Sequence, residues 1–268
     1  MQRHFNMEEA CSSTEHYMVN WRENRKMKLF VISHKDFRMP VKDGIYTALA
    51  VGGDIPMKVQ HVSDNTGDNI SAKNWKYNEL TGMYWIWKNI EDDIVGICHY
   101  RRYCVTLLGK ILNVLRGAHG HFLTEKQIRK YLTRYDMIVH NKTYFAKNNK
   151  TQFCEQQKAE YYEAARAVIK EYYPEYAKDF ETVSKQKYAH LLNMLIARKE
   201  VFDSYCEWLF PLLFRIEKYL EEHYPNVDMN RSMGMIGERL LDVWVLHNGM
   251  KYKECFSVNM ERVDWKMW

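Results

Sequence analysis

The residues best suited to chemistry follow the short apolar run at residues 94–98, where the chain continues with His99, Arg101 and Arg102. The run predicts a buried strand, because it is brief, rich in β-branched residues and bounded by charge. In open α/β sheets, ligands bind just beyond the carboxyl ends of the strands. Guanidinium groups offer paired donors that match phosphate oxygens. This turn therefore predicts a site for a phosphate-bearing ligand, and a solvated basic turn is the alternative.

Other polar groups also stand where predicted elements begin, end or are interrupted. They are Ser33, His34 and Lys35 after a first strand, Asp68, Asn69, Lys73 and Asn74 before a helix, His190 and Asn193 within an apolar run, and Glu238 and Arg239 at the start of a late helix. Taken singly, a buried Asn is usually a satisfied core group, and a Glu at a helix start usually complements the helix dipole. Together, their placement at element ends favours one common site.

The composition is that of a globular protein, with 46% hydrophobic and 27% charged residues in a chain of 268. The net charge of +5 suits an anionic ligand or an acidic membrane surface, but it is too weak and dispersed to indicate nucleic-acid binding. The six cysteines form no CxxC pair, which favours reduced thiols. Residues 1–26 lack the apolar core of a signal peptide, so we expect a cytoplasmic protein, free or peripherally attached to the membrane.

Several familiar motifs are missing from the sequence. It contains no glycine-rich dinucleotide fingerprint, no P-loop, no nucleophile elbow and no HExxH zinc motif. It also contains no DxD pair, so no compact pair of carboxylates is evident that would hold a divalent ion on a diphosphate. These absences disfavour dinucleotide dehydrogenases, P-loop kinases and zinc peptidases.

Strand and helix patterns alternate along the chain, which predicts an α/β fold with a mainly parallel central sheet flanked by helices. The predicted strands are 28–32, 94–98, 136–140, 189–197 and 251–258, and the predicted helices are 75–89, 124–134, 152–172, 199–222 and 236–247. Thr124 and Gln127 have the spacing of a capping box. The pattern favours a polar extension at 1–26 and a single domain at 27–268.

Residues 104–123 have the character of a variable insertion. Leu107, Leu108 and Ile111 belong to an apolar stripe, with Lys110 beside it. The stripe predicts an amphipathic helix packed on the domain, and a helix lying on a membrane surface is the alternative.

Three blocks together carry a family resemblance: T-G-D-N-I-S at 66–71, N-E-L-T followed by Y-W-I-W-K at 78–88, and G-I-C-H-Y-R-R-Y at 96–103. The sequence resembles a bacterial family of capsular and exopolysaccharide glycosyltransferases that was long described only as a domain of unknown function. Further matching blocks extend the resemblance over roughly residues 27 to 260. The resemblance implies a GT-A-like nucleotide-diphospho-sugar transferase fold. It also implies transfer of a hexose, galactose-type in several members, from a UDP-sugar to a lipid-linked oligosaccharide.

The resemblance further implies roles for individual residues. In such folds a DxD usually follows the central strand, and here residues 99–102 take that place. We therefore expect cationic side chains rather than a metal to neutralise the diphosphate, and a Mn or Mg ion is the alternative. Glu238 is the candidate base for the acceptor hydroxyl, with Asp242 as the rival. The expected donor-binding residues are Ser33, His34, Lys35, Asp68, Asn69, Lys73, Asn74, His99, Arg101 and Arg102, and the expected acceptor or sugar residues are His190, Asn193 and Arg239.

Two other functions remain open at this point. A non-catalytic nucleotide- or carbohydrate-binding module would use the same aromatic residues and the same basic turn. A phosphate-ester hydrolase is disfavoured by the missing metal ligands. The donor sugar, the acceptor, the linkage and the stereochemical outcome do not follow from the residues.

Overall fold

The computed structural model describes residues 26–41, 44–116 and 121–260, with the backbone alone at 114–116. The proposed extension at 1–26 therefore lies outside the described residues except for Lys26. Ten strands are found in the described part of the chain: β1 (Met27–Ser33), β2 (Tyr46–Ala50), β3 (His61–Ser63), β4 (Ile94–His99), β5 (Arg102–Val105), β6 (Met137–His140), β7 (Thr143–Tyr144), β8 (Tyr188–Ala189), β9 (Leu195–Arg198) and β10 (Tyr252–Asn259).

Eight of these strands form one mixed sheet, and β7 and β8 pair separately. Parallel pairing joins β3, β2, β1 and β4 in that order, and it also joins β6 to β10. Strand β9 runs antiparallel between β4 and β6, and β5 runs antiparallel to β4 and β10. The expected mainly parallel sheet is not confirmed, because β5 and β9 reverse the chain direction within it. The α/β architecture is confirmed.

Nine α-helices pack around the sheet within the described residues. They are α1 (Asn74–Tyr77), α2 (Leu80–Asn89), α3 (Leu107–Arg116), α4 (Glu125–Leu132), α5 (Asn149–Gln156), α6 (Ala159–Tyr172), α7 (Ala177–Lys185), α8 (Lys199–His223) and α9 (Ser232–His247). The capping box of α4 is present, since Thr124 and Gln127 bond each other's backbone amides. Helix α8 accommodates Pro211 in its interior, as the sequence requires. No helix among the described residues is both long and apolar enough to span a membrane.

Three predicted elements are interrupted in the structure. The helix predicted at 75–89 divides into α1 and α2 because Asn78 adopts a positive φ of 50°. The helix predicted at 152–172 divides into α5 and α6, with extended backbone at Gln157. The strand predicted at 189–197 was wrong as a continuous element: it comprises the end of β8, a turn at 190–194, and β9. Leu192 and Asn193 break it, with φ of 83° and 49°.

The central strands are buried on both faces, which explains their continuous apolar runs. Phe30 and Ile32 of β1 point into one hydrophobic cluster, and Leu29 and Val31 point into the other. Gly96 in β4 admits close packing, because a Cβ there would lie 2.6 Å from side-chain atoms of both Ile196 and Leu29.

The strand directions bring several chain segments to one edge of the sheet. Strands β1, β4, β6 and β10 are mutually parallel through their neighbours, so their carboxyl ends share an edge. Strand β9 starts at this same edge because it runs the opposite way. The basic turn at 99–102 and the turn at 190–194 are therefore neighbours, which positions the candidate site.

Candidate active site

The centre of the site is the turn at 190–194, which three elements hold in place. The Leu192 amide donates to Glu238 Oε1 of α9 at 3.0 Å. The Leu192 carbonyl accepts a hydrogen bond from His99 Nε2 at 2.7 Å, at the end of β4. Asn193 Nδ2 donates to Glu79 Oε1 at 2.7 Å and to the Gly234 carbonyl at 3.0 Å. These bonds hold two non-glycine residues at positive φ, a conformation that persists only when its surroundings enforce it.

Helix α9 reaches this turn closely because it carries glycines on the facing side. A Cβ at Gly237 would lie 2.9 Å from Leu80 and 3.3 Å from the Asn193 side-chain oxygen. A Cβ at Gly234 would lie 3.2 Å from the Asn78 side chain. The two glycines thus let the start of α9 approach the break between α1 and α2, and this approach places Glu238 beside Glu79.

Glu238 has the electrostatic character of a proton acceptor that works near neutral pH. Burial, and then the negative charge of Glu79, raise its pKa to about 7. The charges of Arg239 and Arg231 and the Leu192 amide oppose this rise. A carboxylate whose pKa lies near the working pH is suited to general acid–base catalysis.

Glu79 is a functional candidate that the sequence reasoning did not assign. It stands between α1 and α2, bonds Asn193, and contributes to the raised pKa of Glu238. The predicted continuous helix concealed it, because Glu79 then occupied an ordinary helical position. The spacing of apolar residues does not reveal a break at Asn78, although Asn is among the residues that tolerate positive φ.

The second predicted carboxylate, Asp242, is hydrogen-bonded to His190. Its two oxygens accept hydrogen bonds from the His190 backbone amide, at 3.0 Å, and from His190 Nδ1. Both side chains are buried. His190 Nε2 is buried without a hydrogen-bond partner among the described residues, and it lies 3.6 Å from Glu254 Oε1. Asp242 therefore orients an imidazole in this arrangement, whereas Glu238 carries the raised pKa.

Residues from the ends of β1 and β4 meet around the Tyr100 ring. The His34 ring packs against it edge-on at 5.6 Å, and Lys35 Nζ lies 5.0 Å from its centroid. The Arg101 guanidinium lies 5.8 Å from the same centroid. The structure thus brings His34, Lys35 and Arg101 together around Tyr100, and their role in donor binding stays a prediction.

The remaining members of the basic turn differ in character. Burial, together with the charges of Arg102 and Arg101, lowers the pKa of His99, which favours the neutral ring, and Nε2 donates to the Leu192 carbonyl. The charge of Arg102 acts on His140 at the end of β6, where burial and then this charge, among others, lower the pKa of His140 to about 4. The cationic side chains of the turn are therefore the two guanidinium groups rather than three groups.

The residues predicted near 68–74 have partners of their own. Asp68 Oδ1 accepts from Tyr84 Oη at 3.1 Å, and Asn69 Oδ1 accepts from the Ser71 amide at 3.2 Å. Lys73 Nζ lies 2.8 Å from Glu217 Oε2 on α8, and Asn74 donates to the Asn78 carbonyl and to Thr81 Oγ1. The buried Ser33 Oγ donates to the Lys35 carbonyl at 2.6 Å. Asp68 and Asn69 therefore make hydrogen bonds to α2 and to their own loop. Lys73 pairs with α8, and Asn74 makes hydrogen bonds to the chain between α1 and α2 and to α2 itself.

Arg239 points among aromatic side chains instead of along the sheet edge. Its guanidinium lies 5.3 Å from the Phe145 centroid and 5.5 Å from the Phe153 centroid, and Nη2 donates to Gln152 Oε1 at 2.6 Å. Burial lowers its pKa from the usual value. Nε and Nη1 are buried without partners among the described residues. The acceptor role expected for Arg239 stays a prediction.

Comparison with known proteins identifies the family of this chain and a solved structure with a similar fold. The family model of DUF4422, described as a domain of unknown function, matches residues 28–249. The chain belongs to the DUF4422 family. A comparison with curated proteins gave no match. Among solved structures, this DUF4422 chain is similar to the apo form of WbbM, a bifunctional glycosyltransferase, with a TM-score of 0.73 and 27% identity. The match covers 89% of this chain and 46% of the WbbM chain, so the DUF4422 protein corresponds to less than half of WbbM. The fold is therefore glycosyltransferase-like.

The raised pKa of Glu238 predicts a pH-dependent cost in stability. Its pKa in the folded chain lies above that of an unfolded chain, so the penalty is absent at low pH and grows as the pH rises towards about 7. We expect Glu238→Gln to gain on the order of 2 kcal/mol over the wild type between about pH 5 and pH 8. Urea unfolding across this range measures the difference. Glu91→Gln, which changes an exposed carboxylate, is the control. If the free energy of unfolding varied with pH in the same way in Glu238→Gln and in the wild type, the raised pKa of Glu238 would be contradicted.

Proposed function

We propose that this chain is a glycosyltransferase that moves a hexose, galactose-type by preference, from a UDP-sugar to a lipid-linked oligosaccharide. The observation that carries the proposal is the site at the sheet edge, where a carboxylate with a pKa of about 7 lies beside a basic turn. The similarity in fold to a glycosyltransferase supports it. Synthesis of capsule, exopolysaccharide or O-antigen at the cytoplasmic face of the membrane is the setting in which this reaction is used.

The proposed chemistry assigns separate roles to the carboxylate and the guanidinium groups. The acceptor hydroxyl oxygen forms a bond to the anomeric carbon as the bond from that carbon to the diphosphate oxygen breaks. The hydroxyl proton passes to Glu238, and the electron pair of the broken bond leaves with UDP. Arg101 and Arg102 stabilise the charge that develops on the departing diphosphate. This assignment corresponds to an inverting transfer, since only that route needs a base for the acceptor at this step.

A metal-independent route is part of the proposal. Among the described residues, no group of three or more His, Cys, Asp or Glu side chains is arranged to hold a metal ion. Two guanidinium groups at the turn supply positive charge of the kind that a divalent ion provides in other transferases. Measurements of donor binding with and without metal test this route directly.

Binding of UDP tests the role of the basic turn. Arg101→Ala combined with Arg102→Ala should weaken UDP binding by about a hundredfold or more, because hydrogen bonds to charged groups each contribute about 1.5–3 kcal/mol. Calorimetry with UDP and a panel of UDP-sugars, in manganese and again in EDTA, measures this effect and the metal dependence. We expect wild-type binding to persist in EDTA.

The control for that experiment removes two charges elsewhere. Lys130→Ala combined with Arg134→Ala changes exposed cations at the end of α4, which carries none of the candidate site residues. Unchanged UDP affinity in the Arg101 and Arg102 variant would exclude the diphosphate role. Binding that needs manganese would exclude the metal-independent route.

Turnover tests the role of Glu238. Glu238→Gln keeps an acceptor oxygen for the Leu192 amide but removes the proton acceptor, so kcat should fall by about 10²–10⁴-fold while donor affinity changes little. In the wild type, kcat/KM should rise with pH through about 7, as Glu238 loses its proton. Full activity in Glu238→Gln would remove Glu238 as the base.

Product analysis separates the competing functions. An extended glycan indicates transfer, free sugar indicates a hydrolase, and UDP-sugar binding without either product indicates a non-catalytic binding module. The raised pKa of Glu238 favours an enzyme over the binding module, because binding alone does not require a carboxylate that titrates near neutral pH.

Helix α3 supports peripheral contact with a membrane as part of this function. Leu107, Leu108 and Ile111 are exposed by 57%, 65% and 48%. They lie on a helix that also carries Lys110, whose Nζ packs 4.9 Å from the Phe256 ring. Exposed apolar residues beside a cation suit the interface of an anionic bilayer, where the lipid-linked acceptor resides.

Vesicle binding tests this contact. Changing Leu107, Leu108 and Ile111 together to Ser should reduce binding to vesicles of phosphatidylethanolamine and phosphatidylglycerol by about tenfold or more. The matched control changes three scattered exposed apolar residues, Val62, Tyr172 and Leu246, to Ser. Equal co-sedimentation of both variants, or no binding by the wild type, would contradict membrane contact through α3.

A further inference from the structure

Three tyrosine side chains form a strip beside the turn at 190–194, and we call Tyr144, Tyr188 and Tyr252 the tyrosine strip. Tyr144 is 75% exposed, and its ring centroid lies 6.0 Å from that of Tyr188. These two residues pair across β7 and β8, the small sheet that stands apart from the main one. The Tyr252 ring lies 4.9 Å from His190, and the Tyr188 ring lies 6.3 Å from His190. The strip therefore runs from solvent inwards to His190.

Polar groups line the inner part of the tyrosine strip. Lys142 Nζ lies 4.8 Å from the Tyr188 centroid and 5.4 Å from the Tyr252 centroid. It pairs with Glu254 Oε1 at 3.3 Å. His190 Nε2, which is buried and has no hydrogen-bond partner in the described part of the chain, lies 3.6 Å from the same oxygen. An ammonium, a carboxylate and an unpartnered ring nitrogen thus stand together where the tyrosine strip ends.

The inner end of the tyrosine strip is connected to the candidate base. The His190 amide donates a hydrogen bond to Asp242. The amide of Leu192, two residues further along the chain, donates one to Glu238. Asp242 follows Glu238 by one turn on α9, and side chains with that spacing lie about 5–6 Å apart at Cβ. His190 and Asp242 therefore connect the inner end of the strip to the helix turn that carries Glu238. Three of the residues expected to bind the donor, His34, Lys35 and Arg101, are instead grouped around Tyr100 at the ends of β1 and β4.

The chemistry of the tyrosine strip suits a saccharide. A sugar ring has apolar C–H faces that pack on aromatic rings and hydroxyl groups at its edges that bond charged side chains, so aromatic surfaces with a few polar groups are typical of such sites. A strip of three rings is far smaller than the roughly 800 Å² per partner of a standard protein interface. We infer that the tyrosine strip is the subsite for the acceptor saccharide, an inference that rests on the proposed glycosyl transfer. Its sugar packs on Tyr144 and Tyr188 and directs a hydroxyl towards Glu238.

Saturation-transfer NMR on the full chain tests this inference. The probes are methyl β-galactopyranoside, methyl α-glucopyranoside and the methyl β-glycoside of N-acetylglucosamine, each titrated with UDP present so that the donor site is filled. We expect at least one of these glycosides to bind the wild type. Tyr144→Ala should weaken that binding by about tenfold, while Tyr144→Phe retains it because the ring is kept.

Controls separate this inference from the proposed function. Tyr172→Ala removes an exposed tyrosine from α6, outside the strip, and should leave glycoside binding unchanged. UDP affinity should be the same in all variants. A wild type that binds UDP but none of the glycosides, or a Tyr144→Ala variant that binds them as the wild type does, would overturn the acceptor subsite alone. A wild type that binds neither UDP nor any glycoside would overturn the proposed function together with it.

Discussion

The site depends on the hydrogen bonds that hold the turn at 190–194. We call these bonds, made by Glu238, Glu79 and His99, the clamp. Two adjacent residues, Leu192 and Asn193, have positive φ, which costs free energy for side chains larger than glycine. Hydrogen bonds from the turn to Glu238 and Glu79, and from His99 to the turn, offset that cost. Each partner belongs to a different segment of the fold, so the turn fixes the end of β4, the break before α2 and the start of α9 relative to one another.

The same clamp explains why a carboxylate with a raised pKa can exist here. Glu79 and Glu238 approach each other because both bond the turn, and burial and like charge then disfavour ionisation of Glu238. The arrangement lowers stability as the pH rises towards about 7, and such a cost favours a role for Glu238 other than folding. The hydrogen bond from His99 Nε2 to the Leu192 carbonyl joins the basic turn, which carries Arg101 and Arg102, to this same turn. In the proposed reaction, the proton acceptor and the groups for the departing diphosphate therefore meet at one turn.

A second, buried ionic cluster supports the segment that carries Glu79. Glu217 on α8 accepts hydrogen bonds from Lys73 at 2.8 Å, from Lys76 at 2.7 Å and from Tyr77 Oη at 2.7 Å. Burial by itself would raise the pKa of Glu217, but these three donors lower it on balance. Because removal of one partner would leave buried charge uncompensated, the cluster holds α1 firmly on α8. It thereby fixes the chain immediately before the break at Asn78.

The sequence by itself determined the elements whose pattern is local. Apolar periodicity predicts strands β1, β4, β6 and β10 and the helix with Pro211, and it puts His34, Lys35 and Arg101 at strand ends. Short-range hydrogen bonds explain the capping box of α4. The tertiary structure decided the rest. An apolar run at 189–197 has the same pattern whether it is a strand or a clamped turn, and Glu79 looks like any helical Glu until Asn78 breaks the helix. These features depend on partners some 40 to more than 100 residues away in the chain, and local periodicity carries no information about such contacts.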